Sequence, residues 1–275
     1  MFKVIALFAA ALYTTTPAAE TLVFAAQPME NHETAAAQWK PMLGYLEKSL
    51  DVTLRIEYST SYDEILDKFR NGKIDLAYLG PLPYITLKDK FPQATPVVHF
   101  KEKDGKASYT CAIIALTDAR LTMKAIKGRT VALTQPLSTC GYFSTDGLLR
   151  QAGVSLEQNR YRYLDRHDEV ALAVARGEFD AGGLKTAIGK KYTHLGLAVI
   201  AETDPLPGFA LIANAARVDG ARIARIRQVL ESANTIMRGA WGDNARHGVV
   251  AAEDVDYAAL RKLRGRADIP ARGNF

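Results

Sequence analysis

The stretch SYDEILDKFRNGKIDLAYLGP, residues 61–81, carries the fold. Ser61 has the chemistry of a helix N-cap, Asp63 and Glu64 supply an acidic first turn, and Gly72 stands just past a helix that runs through Arg70. Ile74 to Leu79 then reads as a strand, closed by Gly80-Pro81 with the proline placed to open another helix. Working back toward the N-terminus, Val52 to Tyr58 is a strand and about Glu33 to Leu50 a helix. Thr21 to Ala26 is a further strand, ended by Gln27-Pro28. Strands alternating with helices predict right-handed crossovers and a mainly parallel sheet covered by helices.

The same order recurs downstream. Thr130 to Thr134 is a strand ended by Gln135-Pro136, and a helix runs from about Thr139 to Gln151, before Gly153. Arg160 to Leu164 is a strand, a helix starts near His167 and stops before Gly177, and Phe179 to Gly183 is the next strand end. A shift of 105 places Tyr58 on Tyr163, Asp63 on Asp168, Glu64 on Glu169, Gly72 on Gly177 and Asp75 on Asp180. That is more than average residue usage produces by chance, so we read two similar α/β lobes. Leu211 to Asn214 is a strand candidate. Gly220 to Gly239 reads as one long helix with Ile223, Ile226, Val229, Leu230 and Ile236 on its apolar face. This last segment is expected to cross back to the first lobe, making two hinge strands. The expected boundaries are a leader at 1–19, a first lobe from 20–105 plus 207–275, and a second lobe at 106–206.

The leader is Met1-Phe2-Lys3, an apolar run from Val4 to Tyr13, and small residues from Thr14 to Ala19, the pattern of a secretory signal peptide cleaved after Ala18 or Ala19. No later stretch is apolar enough to span a bilayer, and neither cysteine lies at the cleavage point to take a lipid. The 275 residues are 48% hydrophobic and 24% charged, which supports a real core and excludes disordered and fibrous classes. The net charge of +5 comes from mixed signs along the chain, which argues against a nucleic-acid partner. Arg261, Lys262, Arg264, Arg266 and Arg272 read as a solvated tail. Export implies an oxidising compartment, where Cys111 and Cys140 are either a disulfide or free thiols. The five histidines lack metal-ligand spacing, so neither a metal nor a cofactor is expected.

In open α/β sheets, ligands sit beyond the carboxyl ends of the strands, where helix N-termini offer unsatisfied N–H groups and partial positive charge to anions. The candidates are Ser61-Tyr62, Gly80-Pro81 and Tyr84 in the first lobe, and Ser138, Thr139, Cys140, Gly141 and His167 in the second. The hydroxyls can donate to oxyanion oxygens, Gly141 lets the backbone approach, and His167 as imidazolium can meet an anion. The shift of 105 puts Tyr62 and His167 at equivalent places.

Three motifs resemble the periplasmic substrate-binding proteins of phosphonate, phosphite and phosphate ABC transporters. They are Gly72-Lys73-Ile74-Asp75 leading into Tyr78-Leu79-Gly80-Pro81-Leu82-Pro83-Tyr84, the Ser138-Thr139-x-Gly141-Tyr142 turn, and His167 followed by Gly177-x-x-Asp180-Ala181-Gly182. The similarity covers about residues 20–245. It implies a two-lobed periplasmic binding-protein fold of type II, each lobe a mainly parallel sheet flanked by helices, joined by two hinge strands. It also implies a monomer without enzyme activity that closes on a phosphorus oxyanion and delivers it to a membrane permease. By position, Tyr62 and Tyr84 would line the first-lobe wall, Ser138 and Thr139 would hold the oxyanion, and His167 and Asp180 would complete the second-lobe side.

Two departures keep other readings open. Cys140 stands where the family's turn usually has a third small hydroxyl residue, and the segment after the second lobe reads Asp204-Pro205-Leu206-Pro207-Gly208 rather than a Ser-containing version. A thiol at a helix N-terminus has a lowered pKa, so Cys140 is a candidate soft ligand or a disulfide partner for Cys111. One alternative is therefore an arsenic-oxyanion sensor that signals through Cys140 to a membrane histidine kinase. Another is an enzyme with Cys140 and His167 as nucleophile and base.

Overall fold

In the computed structural model, which describes residues 20–29, 32–264 and 269–275, the alternation becomes two sheets joined by a small ribbon. The expected leader at 1–19 and Arg266 lie outside the described residues. The first part of the chain forms β1 (Glu20–Ala26), α1 (His32–Leu50), β2 (Val52–Ile56), α2 (Tyr62–Arg70), β3 (Leu76–Leu79), α3 (Pro81–Lys90) and β4 (Ala94–Phe100). After β5 (Ser108–Tyr109), the chain makes β6 (Cys111–Leu116), β7 (Thr130–Leu133), a helical turn at Thr139–Phe143, and α4 (Ser144–Gln151). It continues through β8 (Arg160–Tyr163), α5 (His167–Ala175), β9 (Ala181–Lys185), α6 (Thr186–Lys191) and β10 (Leu197–Glu202). It then returns through β11 (Leu206–Pro207) to β12 (Ala210–Asn214), α7 (Gly220–Ser232), α8 (Thr235–Arg238), β13 (Val249–Ala251) and α9 (Ala258–Arg264).

The first sheet has the order β13-β4-β12-β3-β1-β2, and the second β10-β6-β9-β7-β8. Each keeps a parallel group of three strands, β2-β1-β3 and β8-β7-β9, beside antiparallel flanking strands. Strands β5 and β11 pair antiparallel as the two-stranded hinge. Helices cover both faces of each sheet. In the first lobe Trp39, Met42, Leu46 and Ile226 fill one face and Ile65, Phe69, Leu82 and Ile85 the other. In the second lobe Leu148 and Leu149 oppose Val170 and Val174 across the sheet.

The repeat seen in the sequence has a common mechanical cause. Gly72 and Gly177 both end helices at positive φ, 70° and 72°, a conformation that favours glycine. The acid that follows each then reaches the backbone of the neighbouring parallel strand. Asp75 accepts from the Val23 N–H at 2.8 Å, and Asp180 accepts from the Thr130 N–H at 2.8 Å. Each acid stands just before its own strand, β3 or β9, at the end opposite the cleft, Asp75 pinning the middle of β1 and Asp180 the start of β7.

Two expectations change. Gly220 to Gly239 is not one helix: α7 ends at Ser232, and Asn234 caps α8 by accepting from the Met237 N–H. A side chain that competes for backbone donors breaks the helix there, and Ile236 is 90% exposed rather than buried on the apolar face. The chain end also leaves the first lobe. Residues 269–275 lie along β8, the edge strand of the second sheet. There Asn274 accepts from the Tyr161 N–H at 2.8 Å and donates to the Asn159 carbonyl at 2.8 Å. The Tyr163 hydroxyl donates to the Pro270 carbonyl, and Arg160 and Arg162 sit over the Phe275 ring at 4.5 and 4.7 Å. An edge strand with unpaired backbone groups is a ready partner for a passing segment. Ending the chain at residue 268 should destabilise the second lobe by about 2 kcal/mol, from lost hydrogen bonds and cation–π contacts. Hydrogen exchange at Tyr161 checks this and should accelerate.

Candidate functional site

The carboxyl ends of β2 and β3 in one lobe and of β7 and β9 in the other face a common cleft, closed in this structure. In the first lobe the Ser61 side chain accepts from the Glu64 N–H, capping α2 and leaving the Tyr62 N–H free to reach across to the Gln135 Oε1 at 2.8 Å. At α3, which opens with Pro81 and has Gly80 as N-cap, the Gly80 N–H donates to the Gln27 Oε1 at 2.8 Å. The Leu82 N–H donates to the Thr139 Oγ1 at 3.1 Å. Two helix N-termini of the first lobe thus hold side chains of the second.

The sequence reading passed over Gln27 and Gln135, although the signal was present. Each belongs to a Gln-Pro pair that ends the first strand of its βαβ unit. In the fold their amides satisfy helix N-terminal donors.

The turn after β7 is built by close approach. A Cβ added at Gly141 would lie 2.8 Å from the Thr134 Oγ1 and 2.9 Å from the Gln135 carbonyl oxygen, so only glycine fits. Ser138 and Thr139 are both buried. Cys140 is disulfide-bonded to Cys111 of β6, with a Cα–Cα separation of 5.0 Å, and no free cysteine remains among the described residues. This corrects the thiol readings: a sulfur in a disulfide is neither a thiolate ligand nor a nucleophile. The bond ties the Ser138–Gly141 turn to a core strand.

Ser59, Tyr62, Tyr109 and Thr134 each bury a hydroxyl that has no hydrogen-bond partner. They stand at the end of β2, at the start of α2, in the hinge strand β5, and at the end of β7. The Tyr62 hydroxyl sits beside Gln27 and Ser138, and the Tyr109 hydroxyl beside Thr139. Burial pushes the Tyr62 phenol up to about 12 and the Tyr109 phenol higher, so both are neutral donors at physiological pH. Leaving a buried hydroxyl unpaired costs on the order of 1–3 kcal/mol, and Thr86 of α3 and Tyr257 just before α9 carry the same cost within the first lobe.

Residues 24–257 match the family described as the periplasmic substrate-binding protein of the phosphonate ABC transporter. The chain belongs to this family. It is 27% identical over 214 residues to the phosphate-import protein PhnD of Mycolicibacterium smegmatis, an alignment that spans 71% of this chain and 66%, just under two thirds, of that protein. The fold is similar to that of PhnD1 from Prochlorococcus marinus, solved with methylphosphonate. The TM-score is 0.80 at 17% identity, covering 90% of this chain and 98% of that one. It is also similar to the aliphatic sulphonate-binding protein SsuA of Escherichia coli, with a TM-score of 0.60 at 19% identity, covering 92% and 81%. These neighbours share the type II two-lobed architecture.

Against this family background, the structure brings Tyr62, Gly80, Pro81, Ser138, Thr139, Cys140 and Gly141 to one cleft. Two of the residues carried over by resemblance point elsewhere. The Tyr84 hydroxyl donates to Asp254 at 2.5 Å, and its ring packs on Tyr257 at 4.4 Å, so it is spent inside the first lobe. Asp180 serves Thr130 at the far end of the sheet.

His167 is at the start of α5, but not as a cation. Its Nδ1 accepts from the Lys185 N–H at 3.1 Å, which leaves the hydrogen on Nε2. Burial, with the Lys185 charge second, pulls its pKa down to about 3, so the imidazole is neutral. It can donate one hydrogen bond and cannot supply charge. Because the unfolded chain takes up a proton near pH 6.5 and the fold does not until about 3, stability falls as pH drops through that window. The expected loss is about 2 kcal/mol by pH 5. Urea unfolding at pH 7 and pH 5 measures it, and His167→Gln should lose this part of the slope.

Proposed function

We propose that the protein is a periplasmic solute-binding protein, delivered by its leader, that closes on a phosphonate-, phosphite- or phosphate-like oxyanion and presents it to an ABC permease. The carrying observation is that the buried Ser138–Gly141 turn, with the Tyr62, Tyr109 and Thr134 hydroxyls beside it, faces the N-termini of α2 and α3 across the cleft. Several hydroxyls can donate to the oxygens of one small anion without a counter-charge. Opening about the β5–β11 ribbon admits the ligand, and closure buries it. Ser138, Thr139, Tyr62 and Tyr109 donate to the oxyanion in this reading, with the neutral His167 Nε2–H beside them. The Cys140 sensor and Cys140–His167 enzyme readings lose their reactive group to the disulfide.

Thermal unfolding of the leader-free protein with methylphosphonate, phosphite, phosphate and, for comparison, methanesulfonate tests the proposal. A ligand at 100 times its Kd adds about 2.7 kcal/mol. Stabilisation by a phosphorus oxyanion supports the reading, and stabilisation by none of them at millimolar concentration ends it. Affinity should not rise between pH 8 and pH 5, because no imidazolium forms at His167 there.

A further inference from the structure

Nothing in the sequence marked Lys185, yet it is a nearly buried cation at the cleft. It ends β9 at the carboxyl end, and its N–H holds the His167 ring. Its side chain is 9% exposed. The ammonium is 2.6 Å from a Glu102 carboxylate oxygen and lies over the faces of Tyr109 and Phe209, 5.4 and 5.1 Å from the ring centres. Those two rings belong to the cleft wall: the Tyr109 hydroxyl is beside Thr139, and the Phe209 ring stands 3.1 Å from where a Cβ would project from Gly80.

An ammonium carries three donors. Glu102 accepts one, and the aromatic faces attract the charge without taking a strong hydrogen bond. Glu102 itself lines a hinge-side cavity with Lys103, Asp104, Lys106 and Tyr109. The carboxylate is the more exposed member of the pair, at 26% against 9%, and the ammonium is packed inward against the two rings.

We infer that Lys185 reads the substituent of the bound oxyanion, so that the cleft takes phosphonates with neutral or anionic substituents and rejects those carrying an ammonium group. The inference rests on the oxyanion reading of the same cleft and goes further by fixing the charge of the ligand's other end. A ligand ammonium reaching the Tyr109–Phe209 wall would meet a like charge that Glu102 offsets only in part, in a site shielded from water. A ligand carboxylate would instead take the spare donors.

Calorimetry with methylphosphonate, phosphonoacetate and 2-aminoethylphosphonate tests this. The protein should bind 2-aminoethylphosphonate at least tenfold more weakly than methylphosphonate, and phosphonoacetate at least as tightly. In Lys185→Met, phosphonoacetate should lose tenfold or more, 2-aminoethylphosphonate should lose none, and methylphosphonate should change less than threefold. Lys185→Gln gives the same test without an apolar replacement, and the ranking by the unaltered protein stands whatever either variant does. Equal binding of methylphosphonate and 2-aminoethylphosphonate by the unaltered protein overturns the inference and leaves the oxyanion reading intact. So does an equal change of all three ligands in a folded variant. Silence from all three, and from phosphate and phosphite, overturns both.

Discussion

Replacing both cysteines by alanine, Cys111→Ala with Cys140→Ala, is expected to lower the unfolding free energy by about 3–4 kcal/mol and the melting temperature by roughly 10 °C. The bond closes a loop between residues 29 apart, and cross-linking removes that loop's freedom from the unfolded chain. Both cysteines are buried, at 1% and 2% exposure, so the unlinked side chains leave a gap as well. A functional consequence follows from the location. Cys140 lies in the turn that presents Ser138 and Thr139, and without its tie to β6 that turn must be ordered by the ligand itself. Oxyanion affinity should fall together with stability. Thermal and urea unfolding of the double variant, with a free-thiol assay on the parent, checks this. A loss below 1 kcal/mol, or two reactive thiols in the unfolded, unreduced parent, contradicts it.

The elements that the sequence announced are those set by neighbours within one turn or one strand. Ser61 capping Glu64, Pro81 opening α3, and glycine at positive φ after α2 and α5 are local chemistry, and the fold keeps each one. Much of the cleft depends on pairs far apart in the chain, such as Tyr62 with Gln135 or Leu82 with Thr139, which no periodicity encodes. The hinge strands are two residues each, too short to show a pattern, so Tyr109 went unnoticed. Lys185 looked like any polar residue at a strand end, because its burial comes from Tyr109 and Phe209 arriving from elsewhere. Tyr84 and Asp180 show the opposite error. Their places in the motifs are real, but Asp254 and Thr130 consume their polar groups on other faces of the lobes. The repeat did carry real information. It located Asp75 and Asp180 as equivalent strand-start acids, and equivalence across two lobes is a structural relation before it is a functional one.

Removing two hydroxyls from the turn, in the double variant Ser138→Ala with Thr139→Ala, should raise the Kd for a phosphorus oxyanion by about 10²–10⁴-fold. A hydrogen bond to a charged group contributes about 1.5–3 kcal/mol, and the loss of two is about 3–6 kcal/mol. The effect should be near the upper part of that range because the neutral His167 supplies no charge to the anion. The Thr139 hydroxyl accepts from the Leu82 N–H, which leaves its hydrogen to donate, so in the proposed reading one oxygen both bridges the lobes and holds the anion. Thr139→Ser separates these from mere packing, since it keeps the hydroxyl and deletes only a methyl group. It should retain affinity within a few-fold while Thr139→Ala does not. Calorimetry gives the Kd values, and ligand-free melting confirms that each variant is folded. A double variant that loses less than tenfold would remove the Ser138-Thr139 turn from the binding site and leave the oxyanion to Tyr62 and Tyr109.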